Sequence, residues 1–81
     1  MDNVREISAG TYHTLIIRND GSLWAMGENQ FGQLGDGSKT NRIRPVMVAS
    51  GVRSASAGST FSMWITSSGE LMVVGAFKFA D

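Results

Sequence analysis

The sequence predicts an all-β chain built as stacked, four-stranded antiparallel blades, on three observations. A stretch near the N-terminus recurs 48 residues later, hairpins with glycine turns follow one another along the chain, and those hairpins carry apolar side chains on both faces. Val4-Arg5-Glu6-Ile7-Ser8-Ala9-Gly10 returns as Val52-Arg53-Ser54-Ala55-Ser56-Ala57-Gly58. The same offset places Ile17 on Ile65, Gly21 on Gly69, Leu23 on Leu71 and Gly27 on Gly75. A period of roughly 40–50 residues is that of propeller blades.

The elements follow in order. Val4 to Ala9 reads as a strand, and its small residues Ser8-Ala9-Gly10 suit a strand crowded against its neighbours near a propeller axis. His13 to Arg18, rich in β-branched residues, leads into Asn19-Asp20-Gly21, a turn that supplies the positive φ a hairpin needs. Leu23-Trp24-Ala25-Met26 is the return strand. A shorter strand is expected over residues 45–49, with Pro45 at its first position, where no ladder donor is lost. Val52 to Ala57, Phe61 to Thr66 and Leu71-Met72-Val73-Val74 repeat the first three strands, with Ser67-Ser68-Gly69 as the turn. No segment sustains a helical period.

Facing decides between blades and an ordinary hairpin stack. A half-exposed antiparallel sheet alternates apolar and polar residues. Here Leu15 and Ile17 face one way and Ile16 the other; Trp24 and Met26 oppose Leu23 and Ala25; Trp64 opposes Phe61, Met63 and Ile65; Met72 and Val74 oppose Leu71 and Val73. Sheets of this kind need cover on both sides, which neighbouring blades supply.

Composition narrows the function. With 81 residues the chain is one small domain that buries about 60% of its unfolded surface. It has no Cys, so neither a disulfide nor a thiolate metal site is available, and the single His13 cannot make a zinc site alone. Association with more protein is the remaining source of stability, and a stable isolated monomer is not expected. Seven basic and 7 acidic residues cancel, which argues against nucleic acid, although Lys39, Arg42, Arg44 and Arg53 form a mild basic cluster. No apolar run approaches the ~20 residues of a membrane span, and no signal peptide is visible; cytoplasm is a default rather than a reading.

At this point the residues resemble a known family. Ala9-Gly10-Thr11-Tyr12-His13-Thr14-Leu15, then Asp20-Gly21-Ser22-Leu23-Trp24-Ala25-Met26-Gly27-Glu28-Asn29, then Gln30-Phe31-Gly32-Gln33-Leu34-Gly35 are similar to the repeat of the regulator of chromosome condensation family. Pro45 and Val48 sit where that family has its P-x-x-V strand. The resemblance implies a propeller, typically of about seven blades with four strands each, of which this chain holds about one and a half to two repeats. It assigns residues 4–51 to a first repeat and residues 52–81 to an incomplete or degenerate second one within a single region, 1–81. Met26 stands where the family usually has Trp, Phe61 replaces the His of the first copy, and after Gly75 the chain reads Ala76-Phe77-Lys78-Phe79-Ala80-Asp81 without the expected tetrad, leaving Phe77 and Phe79 to solvent or another chain. The resemblance does not fix an activity, because members share a fold and serve different ends.

Candidate sites divide into structural and partner-facing sets. Gly10, His13, Gly21, Gly27, Gly32, Gln33, Leu34, Gly35, Gly58, Gly69 and Gly75 are expected to be structural, the Gly32-Gln33-Leu34-Gly35 tetrad by folding back to tie blades together. His13 is the one general base by type, but no oriented triad surrounds it, and the family resemblance implies a structural His bonded to neighbouring loop backbone. Gly35-Asp36-Gly37-Ser38-Lys39-Thr40 lacks the Gly directly before Lys that a phosphate loop requires, and Met47 stands where a calcium loop on Asp36 needs Glu. Trp24 and Trp64 lie mid-strand and are expected in the packing between blades. Residues 28–44 form a long connection whose mixed polar set (Asn29, Gln30, Gln33, Asp36, Lys39, Asn41, Arg42) suits protein contacts. Within it, Asp36, Ser38, Lys39, Asn41, Arg42 and Arg44 are the candidates for partner binding.

The expected function is a non-enzymatic protein-binding module without cofactor or metal, whose partner is another protein or further copies of itself. The alternatives are a structural subunit that completes a propeller by self-association or docking, and a fragment of a small-GTPase guanine-nucleotide exchange factor. No nucleophile–base pair, paired carboxylates or cofactor fingerprint points to an enzyme.

Overall fold

The computed structural model describes residues 1–76. Seven strands run in order: β1 (Val4–Ala9), β2 (His13–Arg18), β3 (Leu23–Gly27), β4 (Arg42–Ala49), β5 (Val52–Ala57), β6 (Phe61–Thr66) and β7 (Leu71–Gly75). They form a four-stranded sheet, β1-β2-β3-β4, and a three-stranded sheet, β5-β6-β7, with every pairing antiparallel. The described residues contain no helix. Phe77 and Phe79 lie outside the described residues.

The two sheets repeat in detail. Asp20 closes the first turn by accepting from both the amide and the hydroxyl of Ser22, at 2.9 and 2.6 Å. Each innermost strand carries a bulge at the same place, between Val4 and Glu6 in β1 and between Val52 and Ser54 in β5. One extra residue there bends the strand and strengthens its twist. Asn19 N donates to Asn3 O at 2.7 Å, and Ser67 N, at the same offset, donates to Gly51 O at 2.8 Å.

The fourth strand departs from expectation. It starts at Arg42 rather than at Pro45, so Pro45 lies inside it. A proline is tolerated there because β4 is an edge strand and its register against β3 shifts between the Ala25↔Val46 and Gly27↔Arg42 pairs. Arg44 therefore belongs to a strand, and the long connection shortens to residues 28–41.

The core lies between the two sheets. Leu15, Ile17, Leu23 and Ala25 of the first sheet meet Val52 and Trp64 of the second, with Leu34 of the connecting loop between them. Burying each of the larger side chains stabilises the fold by about 1.5–3 kcal/mol. Trp64 is buried as the alternation requires, whereas Trp24 is half-buried on the opposite face, its Nε1 donating to Ser22 Oγ at 2.9 Å and Arg18 stacked over its ring at 5.9 Å. Hydrogen bonds stitch the sheets along the innermost strands. Ala57 N donates to Ser8 Oγ at 3.0 Å, Val52 N donates to Gly21 O at 2.9 Å, and a Cβ on Gly10 would collide with the carbonyl oxygen of Gly58. The small residues of these strands are thus a condition of the close approach.

Candidate functional site

The connection over residues 28–41 leaves β3 and returns as β4, and it is braced from within. Asn29 is fully buried. Its amide oxygen accepts from Leu34 N at 3.0 Å; its Nδ2 lies 3.1 Å from Asp36 Oδ1, 3.0 Å from Ser38 O, 3.2 Å from Ser38 Oγ and 3.0 Å from Thr40 O. Its own backbone amide donates to Asn41 Oδ1 at 2.7 Å. One side chain therefore gathers both ends of the loop.

Asp36 is the second brace. Its carboxylate accepts from Ser38 N at 2.9 Å and from Ser38 Oγ at 2.8 Å, and it pairs with Arg42 Nε at 3.0 Å. Burial by itself pushes the Asp36 carboxyl up. The hydrogen bonds from the Ser38 hydroxyl and amide, from Arg42 and from Asn29 outweigh it and hold the group at about 2.

The tetrad crosses to the second sheet. Leu34 is fully buried in the core, and Gln33 is nearly so, its Oε1 accepting from Phe31 N at 2.9 Å. Gln33 O accepts from Ser62 Oγ at 2.6 Å. Gly35 has φ +80°, and a Cβ there would meet Val74, Val48 and Trp64 within 3.3 Å, so this position demands both the left-handed backbone and the missing side chain.

His13 lies below this crossing. Its Nε2 is 2.9 Å from Ser62 Oγ and 3.1 Å from Phe61 O. The Ser62 hydroxyl already donates to Gln33 O, so it accepts from His13. The ring proton therefore sits on Nε2, and Nδ1 is buried without a partner among the described residues. Burial lowers the His13 pKa, partly opposed by the Phe61 carbonyl. Ser62 and His13 have the separation of a nucleophile and its base, yet Ser62 is completely buried and its proton is committed to a carbonyl.

Of the partner-facing candidates, Asp36, Ser38, Asn41 and Arg42 all make hydrogen bonds within the loop, while Lys39 and Arg44 are exposed cations. Arg53, the remaining member of the basic cluster, is exposed on β5. Asn29 and Gln33, grouped by sequence with the polar contact set, are buried. Neither the hub role of Asn29 nor the Ser62 crossing is expected from the sequence; the one available signal for Asn29 is its place two residues after Gly27, at the end of the stretch that resembles the family repeat. Among the described residues no three His, Asp or Glu side chains gather as a metal site would require.

Paired, twisted antiparallel sheets with a 48-residue repeat, a shared core and a loop that locks one sheet to the next define a propeller-type repeat protein. The model of the regulator of chromosome condensation (RCC1) repeat matches residues 20–65, and a second model of that repeat matches residues 4–33. The chain belongs to the RCC1 repeat family. The protein RCC2 homolog of Xenopus laevis is 35% identical over 78 residues, which cover 91% of this chain and 15% of that protein. The X-linked retinitis pigmentosa GTPase regulator homolog of Caenorhabditis elegans is 31% identical over 83 residues, covering 96% of this chain and 6% of that one. Among solved structures, human WBSCR16 superposes with a TM-score of 0.84 at 20% identity, and yeast RCC1 (Prp20) bound to Kap60 with 0.78 at 27%; each match covers 93% of this chain and 20% of the other. The chain spans a fifth or less of the length of these relatives.

Proposed function

We propose that the chain is a non-enzymatic protein-binding segment of a propeller, which presents residues 36–44 to an acidic surface on a protein partner. The observation that carries this reading is the division of labour in the loop. Asn29 and Asp36 hold its backbone rigidly from inside, and Lys39 and Arg44 are left exposed, with no hydrogen bond or ion pair among the described residues. A preorganised loop loses little conformational entropy on binding, which favours recognition. A yeast relative solved in complex with Kap60 shows that a propeller of this family engages another protein.

The test is charge reversal. The chain and its Lys39→Glu/Arg44→Glu variant, matched by circular dichroism, are compared as baits by quantitative cross-linking. Loss of partners in the variant supports the reading; an unchanged partner set removes it.

A structural role is the second reading, favoured by Ile7 and Leu71, exposed by 69% and 62% on the outer sides of the two sheets. Sedimentation separates the two: a stable oligomer whose mass survives dilution supports tiling. An exchange-factor role is tested by nucleotide release from a small GTPase, and no acceleration is expected from so small an arc of a ring.

A further inference from the structure

A groove of about 440 Å³ lies where the connecting loop passes the end of β7, and Lys39 is the one charged residue that lines it. Phe31, 46% exposed, and the half-buried Val74 are its apolar lining. Most of the remainder is glycine. A Cβ on Gly32 or on Gly37 would meet nothing within 4 Å, so the groove is open there and its surface is bare backbone, which another main chain can approach closely.

The groove also has a sign. No acidic side chain lines it. The carboxylate nearest in sequence, Asp36, is already engaged by Ser38, Arg42 and Asn29. The Lys39 ammonium makes no hydrogen bond or ion pair among the described residues, and the backbone amides of Gly37 and Lys39 have no hydrogen-bond partner there either. Three donors on one short stretch, one of them charged, are thus free for an anion, and hydrogen bonds from amides to an anion are stronger than those to a neutral acceptor. The braces at Asn29 and Asp36 hold the loop that carries them.

We infer that this groove takes an acidic peptide segment in which a large apolar side chain neighbours a carboxylate. The apolar side chain packs against Phe31 and Val74, and the carboxylate meets Lys39 and the two free amides. The inference rests on the protein-binding reading above and narrows it to one place, since Lys39 belongs to the groove and Arg44 does not. A polynucleotide is a poor occupant, because a single cation offers little to a run of phosphates.

The probe is the acetylated, amidated peptide Glu-Asp-Phe-Asp-Glu. It is titrated into the isotope-labelled full chain at low ionic strength and followed by amide chemical shifts. Saturable shifts at residues 31–32, 37–39 and 74–75, with a Kd of about 1 mM or below, are expected. Lys39→Glu should weaken binding about tenfold and Phe31→Ala about fivefold, whereas Arg44→Glu should change it by less than about twofold. A peptide with Ser in place of Phe should bind about fivefold more weakly, which reads the apolar contact without altering the protein. Absence of shifts at about 5 mM, more than the Kd expected for one docked segment, overturns the inference. If Lys39→Glu and Arg44→Glu weaken binding equally, or the serine peptide binds as well as the phenylalanine one, the attraction is diffuse: the groove falls and the acidic-surface reading stands. If the charge-reversed chain of the preceding section keeps its partners as well, both fall. The same shifts on concentrating the chain alone would assign the groove to a second copy and overturn the inference too.

Discussion

Arg5 holds the backbone of its own counterpart. Its Nη2 donates to Val52 O at 3.0 Å and to Arg53 O at 3.1 Å, and Arg53 is the residue 48 positions on. The bulge in β1 falls at Arg5, and the matching bulge in β5 falls at Arg53. In the first sheet the guanidinium ties two sheets together; in the second it makes no side-chain bond among the described residues.

Arg5→Ala should therefore destabilise the chain by about 1–2 kcal/mol, the range of a charge-assisted hydrogen bond at a partly exposed site. Arg53→Ala should change stability by less than about 0.5 kcal/mol, as an unengaged surface substitution does. Urea denaturation of the two variants checks the contrast, and equal losses would refute it.

Asn29→Ala removes the internal brace of residues 28–41. It leaves Leu34 N and the Thr40 carbonyl without their partner, so a loss of about 2–3 kcal/mol is expected, together with faster amide exchange at Leu34. A loop that kept its protection would show that the neighbouring bonds suffice without Asn29.

Asp36 sets an acid limit. Its folded pKa, about 2, lies below the ordinary aspartate value of 3.8, so it contributes stability above roughly pH 4 that is lost as pH falls through the window toward 2. Asp36→Asn should flatten the melting temperature across that window. A variant as acid-sensitive there as the parent would place the effect in another carboxyl.

His13 acts in the same direction at higher pH. Burial lowers its pKa from 6.5, so the unfolded chain binds the proton more readily. The stability that the neutral ring contributes is complete above about pH 6.5 and declines as pH falls through the lowered value. His13→Phe, which copies the residue at the equivalent site in the second sheet, should abolish that dependence. It should also cost about 1–3 kcal/mol, because Phe61 O and Ser62 Oγ lose a buried donor. Thermal melts between pH 5 and 8 read both effects.

The hairpins were legible because glycine turns and apolar pairs leave local marks: Asn19-Asp20-Gly21 and the alternation of Leu15, Ile16 and Ile17 decide strand, turn and facing within a few residues. The repeat then placed β5, β6 and β7 by translation. The start of β4 was not legible, since Pro45 signals an edge but not how far pairing extends beyond it. The loop interior was hidden for another reason. Asn29 looks like a surface amide in sequence, and its five partners lie between five and 12 residues away along a path that only the folded chain defines. Ser62 escaped notice because its crossing to Gln33 spans 29 residues and joins two sheets.

The link from Ala49 to Val52 consists of Ser50 and Gly51 alone, and Val52 N is at once clamped to Gly21 O. So short a tether leaves almost no loop-closure entropy to be gained by separating the halves, and parting them uncovers Leu15, Leu34 and Trp64 together. The two sheets thus behave as one cooperative unit: neither has a private unfolding step, and heat should reveal a single transition rather than two.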